Sequence, residues 1–135
     1  DRIPISSDHR IVAGTYRPYP TKEVLSSEEK RRPINEWGRR TLNKILANPS
    51  LENFMQACKE FAIGTGLVTS RVQKLIELAE KAGAVGAAQN MVGEAVHALV
   101  TVDKLEPVVQ AFKKVMPSEK IIIAKIDFQG ARRLR

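Results

Sequence analysis

The order in which strand-like and helix-like hydrophobic patterns follow one another constrains the fold most strongly. A short strand pattern at residues 10–14 precedes a series of amphipathic helix patterns, whose apolar positions recur at three- and four-residue steps. Two further strand patterns, a last helix and a β-branched run at 120–126 complete the order. This order is that of a split βαβ unit. We therefore predict an α+β fold: a ferredoxin-like antiparallel sheet with helices on one face and extra helices between the first and second strands.

Capping residues predict the helix boundaries. Side-chain oxygens that can accept a hydrogen bond from a first-turn amide stand before successive helix patterns. These predicted caps are Thr21, Ser27, Ser50 and Thr69. Pro33 is predicted to end a short turn before a separate helix begins at Ile34, and Asp103 and Glu106 have the spacing of a capping box for the last helix.

Length and cysteine content narrow the class of protein. A chain of 135 residues suits one domain and is too short for a two-domain enzyme with a cleft between its halves. It begins at Asp1 rather than Met, so we expect a piece of a longer protein. Its single cysteine, Cys58, cannot form an internal disulfide, and no apolar run is long enough to cross a membrane. The cytoplasm is the expected compartment.

The net charge of +7 raises the question of an anionic partner. The excess of Lys and Arg lies in the first 50 and the last 35 residues rather than in one continuous stripe. Aromatic residues make up only 5% of the chain, too few for a base-stacking surface. We therefore expect neither nucleic acid nor membrane as the partner.

Most catalytic signatures are absent from the sequence. His9 and His97 have no other ligand at metal-binding spacing, and Cys58 lies on the apolar face of a predicted helix. The chain contains no nucleophile elbow, phosphate-binding Walker loop or dinucleotide fingerprint. We expect no catalytic residue and no metal site in this chain.

One stretch, residues 83–94, differs from the rest of the sequence because it is rich in glycine and alanine. Small residues allow a backbone to approach a ligand closely, and the amides of such a loop can hold an anion. Tight packing of a helix on a sheet, or a plain hairpin connected by Gln89-Asn90-Met91, would explain the same composition. Composition alone favours the packing explanation.

The stretch also resembles the third motif of the GHMP small-molecule kinases, and most closely that of their archaeal pantoate kinase branch. The resemblance lies in Gly83 to Glu94 followed by Ala95-Val96-His97-Ala98-Leu99-Val100, and other segments agree with the family in order. These segments are Asp1-Arg2-Ile3-Pro4, Ile11-Val12-Ala13-Gly14, Thr21-Lys22-Glu23-Val24-Leu25, Leu51-Glu52-Asn53-Phe54-Met55 and Thr65-Gly66-Leu67-Val68-Thr69. Ala87 and Ala88 stand where the family more often has glycine, which favours a substrate-side or supporting role over a nucleotide contact.

The resemblance implies the C-terminal domain of a two-domain, ATP-dependent kinase at residues 1–130, followed by a basic tail at 131–135. The phosphate loop, ATP and Mg²⁺ would belong to an N-terminal domain absent from this chain, so the fragment alone is expected to be inactive. By resemblance, the candidate substrate-binding or loop-supporting residues are Gly86, Ala87, Ala88, Gln89, Asn90 and Thr21. Arg17 is added as the nearest cation for a substrate carboxylate.

The implied partners are a small-molecule substrate and the protein's own N-terminal domain. A GHMP-type kinase with a different hydroxyl substrate is the nearest alternative. A non-enzymatic α+β module that binds RNA through its sheet, or one that assembles as a homodimer, remains open as well.

Overall fold

Five helices and four strands make up the described part of the chain, which in this computed structural model comprises residues 3–18 and 20–133. The elements are β1 (His9–Pro18), α1 (Thr21–Val24), α2 (Glu28–Ala47), α3 (Leu51–Gly64), α4 (Ser70–Lys81), β2 (Gly86–Gln89), β3 (Gly93–Thr101), α5 (Val102–Lys113) and β4 (Ile121–Lys125). A 3-10 turn, Ser118–Lys120, precedes β4. Predictions that involve Asp1, Arg2, Tyr19 and the last two residues of the basic tail lie outside the described residues.

The strands form one antiparallel sheet in the order β2-β3-β1-β4. Strands β1 and β3 pair in the middle, from His9 opposite Thr101 to Pro18 opposite Gly93, with an irregularity between Thr15 and Arg17. This strand order is the one that a split βαβ unit produces when each crossover returns to the edge of a central pair. The predicted ferredoxin-like α+β fold is confirmed.

The main core lies between one face of the sheet and helices α4 and α5. Alternate residues of β3, including Val96, Ala98 and Val100, point to this face and are fully buried. Leu75 of α4 and Phe112 of α5 meet them with no exposed surface. Burial of these side chains stabilises the sheet against its helices by roughly 1.5–3 kcal/mol for each large apolar residue.

Helices α2 and α3 account for the extra helices predicted between the first two strands. Met55 of α3 packs against Ala88 and Leu99, on the side of the sheet opposite the main core. Helix α2 contacts α3 and buries none of its own residues. The edge strand β2 is therefore covered on both faces, by α4 on one and by α3 on the other. The prediction that the helices lie on one face of the sheet is wrong, because the small side chains of β2 allow α3 to pack on the second face.

The predicted helix starts at Ser27, Ser50 and Thr69 are confirmed, since each hydroxyl accepts a hydrogen bond from the amide three residues later. The cap predicted at Thr21 is wrong: Pro20 is the extended residue before α1, and Thr21 is already helical. An N-cap needs a non-helical backbone to turn its side chain towards the first turn.

Two further boundary predictions are wrong. Helix α2 continues through Pro33, which lacks an amide hydrogen to bond the carbonyl of Glu29. Both residues are exposed, so water can hydrate that carbonyl and the helix is not interrupted. Helix α5 begins at Val102 instead of after Asp103, because β3 runs directly into the helix. Thr101 is both the last residue of β3 and the N-cap of α5.

We predict that Gly86→Ala destabilises the protein by about 1–3 kcal/mol. A Cβ at Gly86 would overlap the Cβ of Met55, which lies too near the helix backbone to move aside easily. Gly38→Ala in α2 is the matched control, because its Cβ would meet nothing nearer than Phe61 Cε2 at 4.0 Å. Urea unfolding measures both, and equal losses of unfolding free energy would contradict the packing explanation.

Candidate functional site

The predicted site residues Gly86, Ala87, Ala88 and Gln89 form strand β2, where they are buried and paired with β3. The expectation that this stretch is a loop is therefore wrong. Its small side chains allow a strand to lie between two helices, and the backbone becomes part of the sheet. Tight packing, the explanation that the composition favours, accounts for these residues in the fold. Their part in binding stays a prediction.

The loop that remains is the β2–β3 connection at residues 90–92. The predicted hairpin is confirmed, but Gln89, which is predicted to lie in the connection, belongs to strand β2. The amide of Asn90 donates to the carbonyl of Ala95 at 2.8 Å, which closes the turn. Met91 adopts a left-handed backbone with φ of 56° and leaves 80% of its surface exposed. Asn90 is exposed as well, so a ligand can reach both Asn90 and Met91 in this connection.

Gln89 fastens this connection to the segment before α4. Its side-chain amide donates to the carbonyl of Gly93 at 2.7 Å and to that of Leu67 at 3.1 Å. Its Oε1 atom is buried and accepts no hydrogen bond from any residue in 3–18 or 20–133. The Gln89 side chain therefore sets the position of the turn from inside the fold.

A groove of about 400 Å³ opens between α2, α3 and the β2–β3 connection. Its lining is mostly apolar, with Leu42, Ile45, Phe54 and Phe61 on the helices and Asn90 and Met91 on the connection. His97 and Cys58 also face it, and burial lowers the pKa of His97 and raises that of Cys58. Both side chains are therefore neutral at pH 7, and the groove suits an uncharged part of a ligand.

A buried carboxylate, Glu94, organises the other side of the same region. Only 4% of Glu94 is exposed, and it accepts hydrogen bonds from Arg17 Nε at 2.7 Å and from Thr69 Oγ1 at 3.0 Å. Arg71 binds the same carboxylate with two nitrogens, Nε at 2.8 Å and Nη2. Arg17 extends from β1, and Thr69 and Arg71 belong to the start of α4, so the carboxylate joins β1, β3 and α4.

These hydrogen bonds fix the charge of Glu94. The hydrogen bonds from Arg71 have the largest effect, and the hydrogen bonds from Thr69 and Arg17 add to it. Together they lower the pKa of Glu94 from 4.5 to about 2, although burial acts in the opposite direction. The carboxylate is therefore ionised at every pH near neutrality. The Arg71 guanidinium also lies over the ring of Tyr16, 4.9 Å from its centroid.

The predicted residues Arg17 and Gln89 thus lie at the same end of the sheet, since Gln89 binds Gly93 and Arg17 binds the next residue, Glu94. Thr21 lies beyond the end of β1 as the first residue of the short helix α1. It is exposed, and its hydroxyl makes no hydrogen bond with the described residues. The structure brings Thr21 into contact with neither the Glu94 network nor the groove lining.

Sequence reasoning missed Glu94 as the partner of Arg17, and it missed Arg71 and Thr69 as further donors to Glu94. One signal was present in the alternation of β3: Glu94 shares a face with Val96 and Ala98, and that face is apolar. A carboxylate on an inward face needs cationic partners. Which arginines supply them depends on the pairing of β1 with β3 and on the position of α4, neither of which is local in sequence.

In the part of the chain that the structure describes, no three His, Cys, Asp or Glu side chains are grouped to hold a metal ion. None of the described helices combines the length and the apolar content needed to cross a membrane.

Comparison with known proteins identifies relatives of this fold and sequence. The chain is 32% identical to the pantoate kinase of Methanocaldococcus jannaschii over 113 residues, which is 84% of this chain and 41% of that protein. No protein-family model matches the chain. The matched region spans less than half the length of the pantoate kinase.

Solved structures share the architecture. A phosphotransferase related to the coenzyme A biosynthesis pathway superposes with a TM-score of 0.74 and 23% identity, covering 90% of this chain and 39% of that one. The mevalonate kinase of Methanococcus jannaschii superposes with a TM-score of 0.61 and 16% identity, covering 87% and 38%. At these identities the likeness establishes the fold.

We predict that Glu94→Gln lowers the free energy of unfolding at neutral pH by roughly 1–3 kcal/mol, because the arginines lose their charged acceptor. Since its folded pKa lies below its ordinary value, Glu94 stabilises the wild type fully above about pH 4.5, and this contribution disappears as the pH falls through about 2. Urea unfolding across this range should show the acid-dependent loss in the wild type and its reduction in Glu94→Gln.

Glu36→Gln is the control for this measurement. Glu36 forms an exposed ion pair with Arg32 one helical turn away, so its loss should cost less than about 0.5 kcal/mol. Equal effects of the two substitutions would contradict a structural role for the buried carboxylate.

Proposed function

Because the chain belongs to the GHMP kinase superfamily, we propose that it is the C-terminal, substrate-side domain of an ATP-dependent small-molecule kinase, and specifically of a pantoate kinase. The observation that carries this proposal is the 32% identity to an archaeal pantoate kinase across 84% of the chain. The mevalonate kinase shares the fold at only 16% identity, so the sequence favours pantoate over mevalonate as the acceptor.

In the proposed reaction the full-length protein transfers the γ-phosphoryl group of ATP to a hydroxyl of pantoate. A bond forms between that hydroxyl oxygen and phosphorus, the bond to the ADP oxygen breaks, and the hydroxyl proton is released. The products are 4-phosphopantoate, ADP and a proton. Such a product would serve coenzyme A biosynthesis. Phosphoryl transfer depends mainly on positioning and on stabilisation of charge, so a domain that orients the acceptor contributes to the rate without supplying a nucleophile.

ATP and Mg²⁺ are proposed to bind through the N-terminal domain of the full-length protein, where Mg²⁺ would neutralise phosphate charge. The residues described here do not fit a nucleotide-phosphate site: Gly86–Gln89 lie in a strand, and these residues offer no metal-binding group of three acidic, His or Cys side chains.

The proposed substrate side comprises the β2–β3 connection and its neighbours. Asn90 would donate or accept hydrogen bonds at the rim of the groove, and Gln89, Gly86, Ala87 and Ala88 would support that connection from beneath. Arg17 would face the carboxylate of the hydroxy acid. Thr21, at the start of α1, would border the acceptor if α1 lies beside the cleft in the complete protein.

Residues 1–130 would form the domain and 131–135 a basic tail. Its partners would be the small substrate and the protein's own N-terminal domain, in the cytoplasm.

We predict that the full-length protein releases ADP when given ATP, Mg²⁺ and pantoate, whereas the 135-residue chain alone shows no turnover. A coupled ADP assay with pantoate and, in parallel, mevalonate measures both the activity and the acceptor. Absence of activity with pantoate in the full-length protein would overturn the proposed function. Turnover by the 135-residue chain would overturn the assignment of the catalytic machinery to the N-terminal domain.

A further inference from the structure

The two arginines bound to Glu94 carry more positive charge than the buried carboxylate requires. Arg71 alone neutralises Glu94 through a bidentate pair, and Arg17 adds a second guanidinium to the same oxygens. The three side chains together carry a formal charge of +1. A structural ion pair needs only one cation, so the second arginine is unexplained by the burial of Glu94.

Both guanidinium groups face solvent while one edge of each is held in place. The side chains of Arg17 and Arg71 are 64% and 48% exposed, against 5% for Glu94. Arg17 uses only its Nε on Glu94, and within the described residues neither of its Nη atoms donates a hydrogen bond. Arg71 likewise has one Nη atom without a partner among these residues.

Such groups are suited to an oxyanion. A guanidinium offers parallel N–H donors that match the two oxygens of a carboxylate or phosphate. Contact with Glu94, and for Arg71 with the ring of Tyr16, restricts the side chains before a ligand arrives, which reduces the entropy lost on binding. We propose that Arg17 and Arg71 form a binding site for a single oxyanion, the carboxylate or phosphate group of a small ligand.

The position of the pair connects this site with the proposed substrate side. Arg17 lies opposite Glu94 in the β1–β3 pairing, and Pro18 lies opposite Gly93, to which Gln89 donates. The pair is therefore adjacent to the β2–β3 connection. This inference deepens the proposed function and rests on it only for the choice of pantoate as one of two probes.

The experiment is a titration of the 135-residue protein, labelled with ¹⁵N, with pantoate and separately with inorganic phosphate. The arginine Nε–Hε signals report binding at each side chain. We expect saturable shifts of the Arg17 and Arg71 signals with at least one probe. Shifts with pantoate alone identify a carboxylate site, and shifts with phosphate alone identify a phosphate site. Saturation with neither probe would overturn the proposal.

Substitutions distinguish anion binding at this site from the non-specific attraction of an anion to a basic protein. Arg17→Gln, at an exposed side chain, should weaken binding about tenfold. Arg17→Lys, which keeps the charge without the paired donors, should weaken it less. Arg40→Gln is the matched control, because Arg40 is an exposed arginine of α2 that stacks on Trp37. Equal weakening by Arg17→Gln and Arg40→Gln would overturn the site, and full affinity in Arg17→Lys would overturn recognition by paired donors.

The two proposals fail in distinguishable ways. If the full-length protein does not phosphorylate pantoate while phosphate still binds through Arg17, the proposed function fails and the oxyanion site stands. If the full-length protein is active and Arg17→Gln binds both probes as the wild type does, the site fails and the proposed function stands.

Discussion

The packing of two helices against opposite faces of β2 is the constraint on which the arrangement of this domain depends. Ala87 belongs to the core shared with α4, while Ala88 meets Met55 of α3. An edge strand can be enclosed in this way only if its side chains are small, and Gly86 is required where the Met55 Cβ comes closest. The small residues that first suggested a ligand-binding loop therefore determine where α3, and with it the apolar groove, lies.

A second constraint acts at the end of the same sheet. Glu94 occupies an inward position of β3, where a carboxylate is stable only if charged donors compensate for the loss of water. Arg71 of α4 provides that compensation through a two-nitrogen contact, and Arg17 of β1 adds a second guanidinium to the same carboxylate. The network fixes the start of α4 relative to the central strands. The network leaves two guanidinium groups partly exposed at the surface, next to the β2–β3 connection.

Much of the fold could be predicted from local patterns. The alternation in β3, the helical periods and the caps at Ser50 and Thr69 each depend on neighbouring residues, and all were confirmed. The failures have tertiary causes: α2 passes Pro33 because the exposed backbone there can be hydrated, and α5 starts early because β3 leads into it without a loop. For the candidate site, the sequence predicts Arg17, Gln89 and Asn90, and their part in binding stays a prediction. It does not predict Glu94, which gives Arg17 its orientation.

The sequence by itself determined the α+β class, the strand order that a split βαβ unit implies, and the membership of the kinase superfamily, because these follow from periodicity and from motifs read along the chain. The tertiary structure decided which residues act together. Arg17 meets Glu94 through the antiparallel register of β1 and β3, and Arg71 reaches it only once α4 has packed on the sheet. Charges distant in sequence become one site when burial of a carboxylate forces them together.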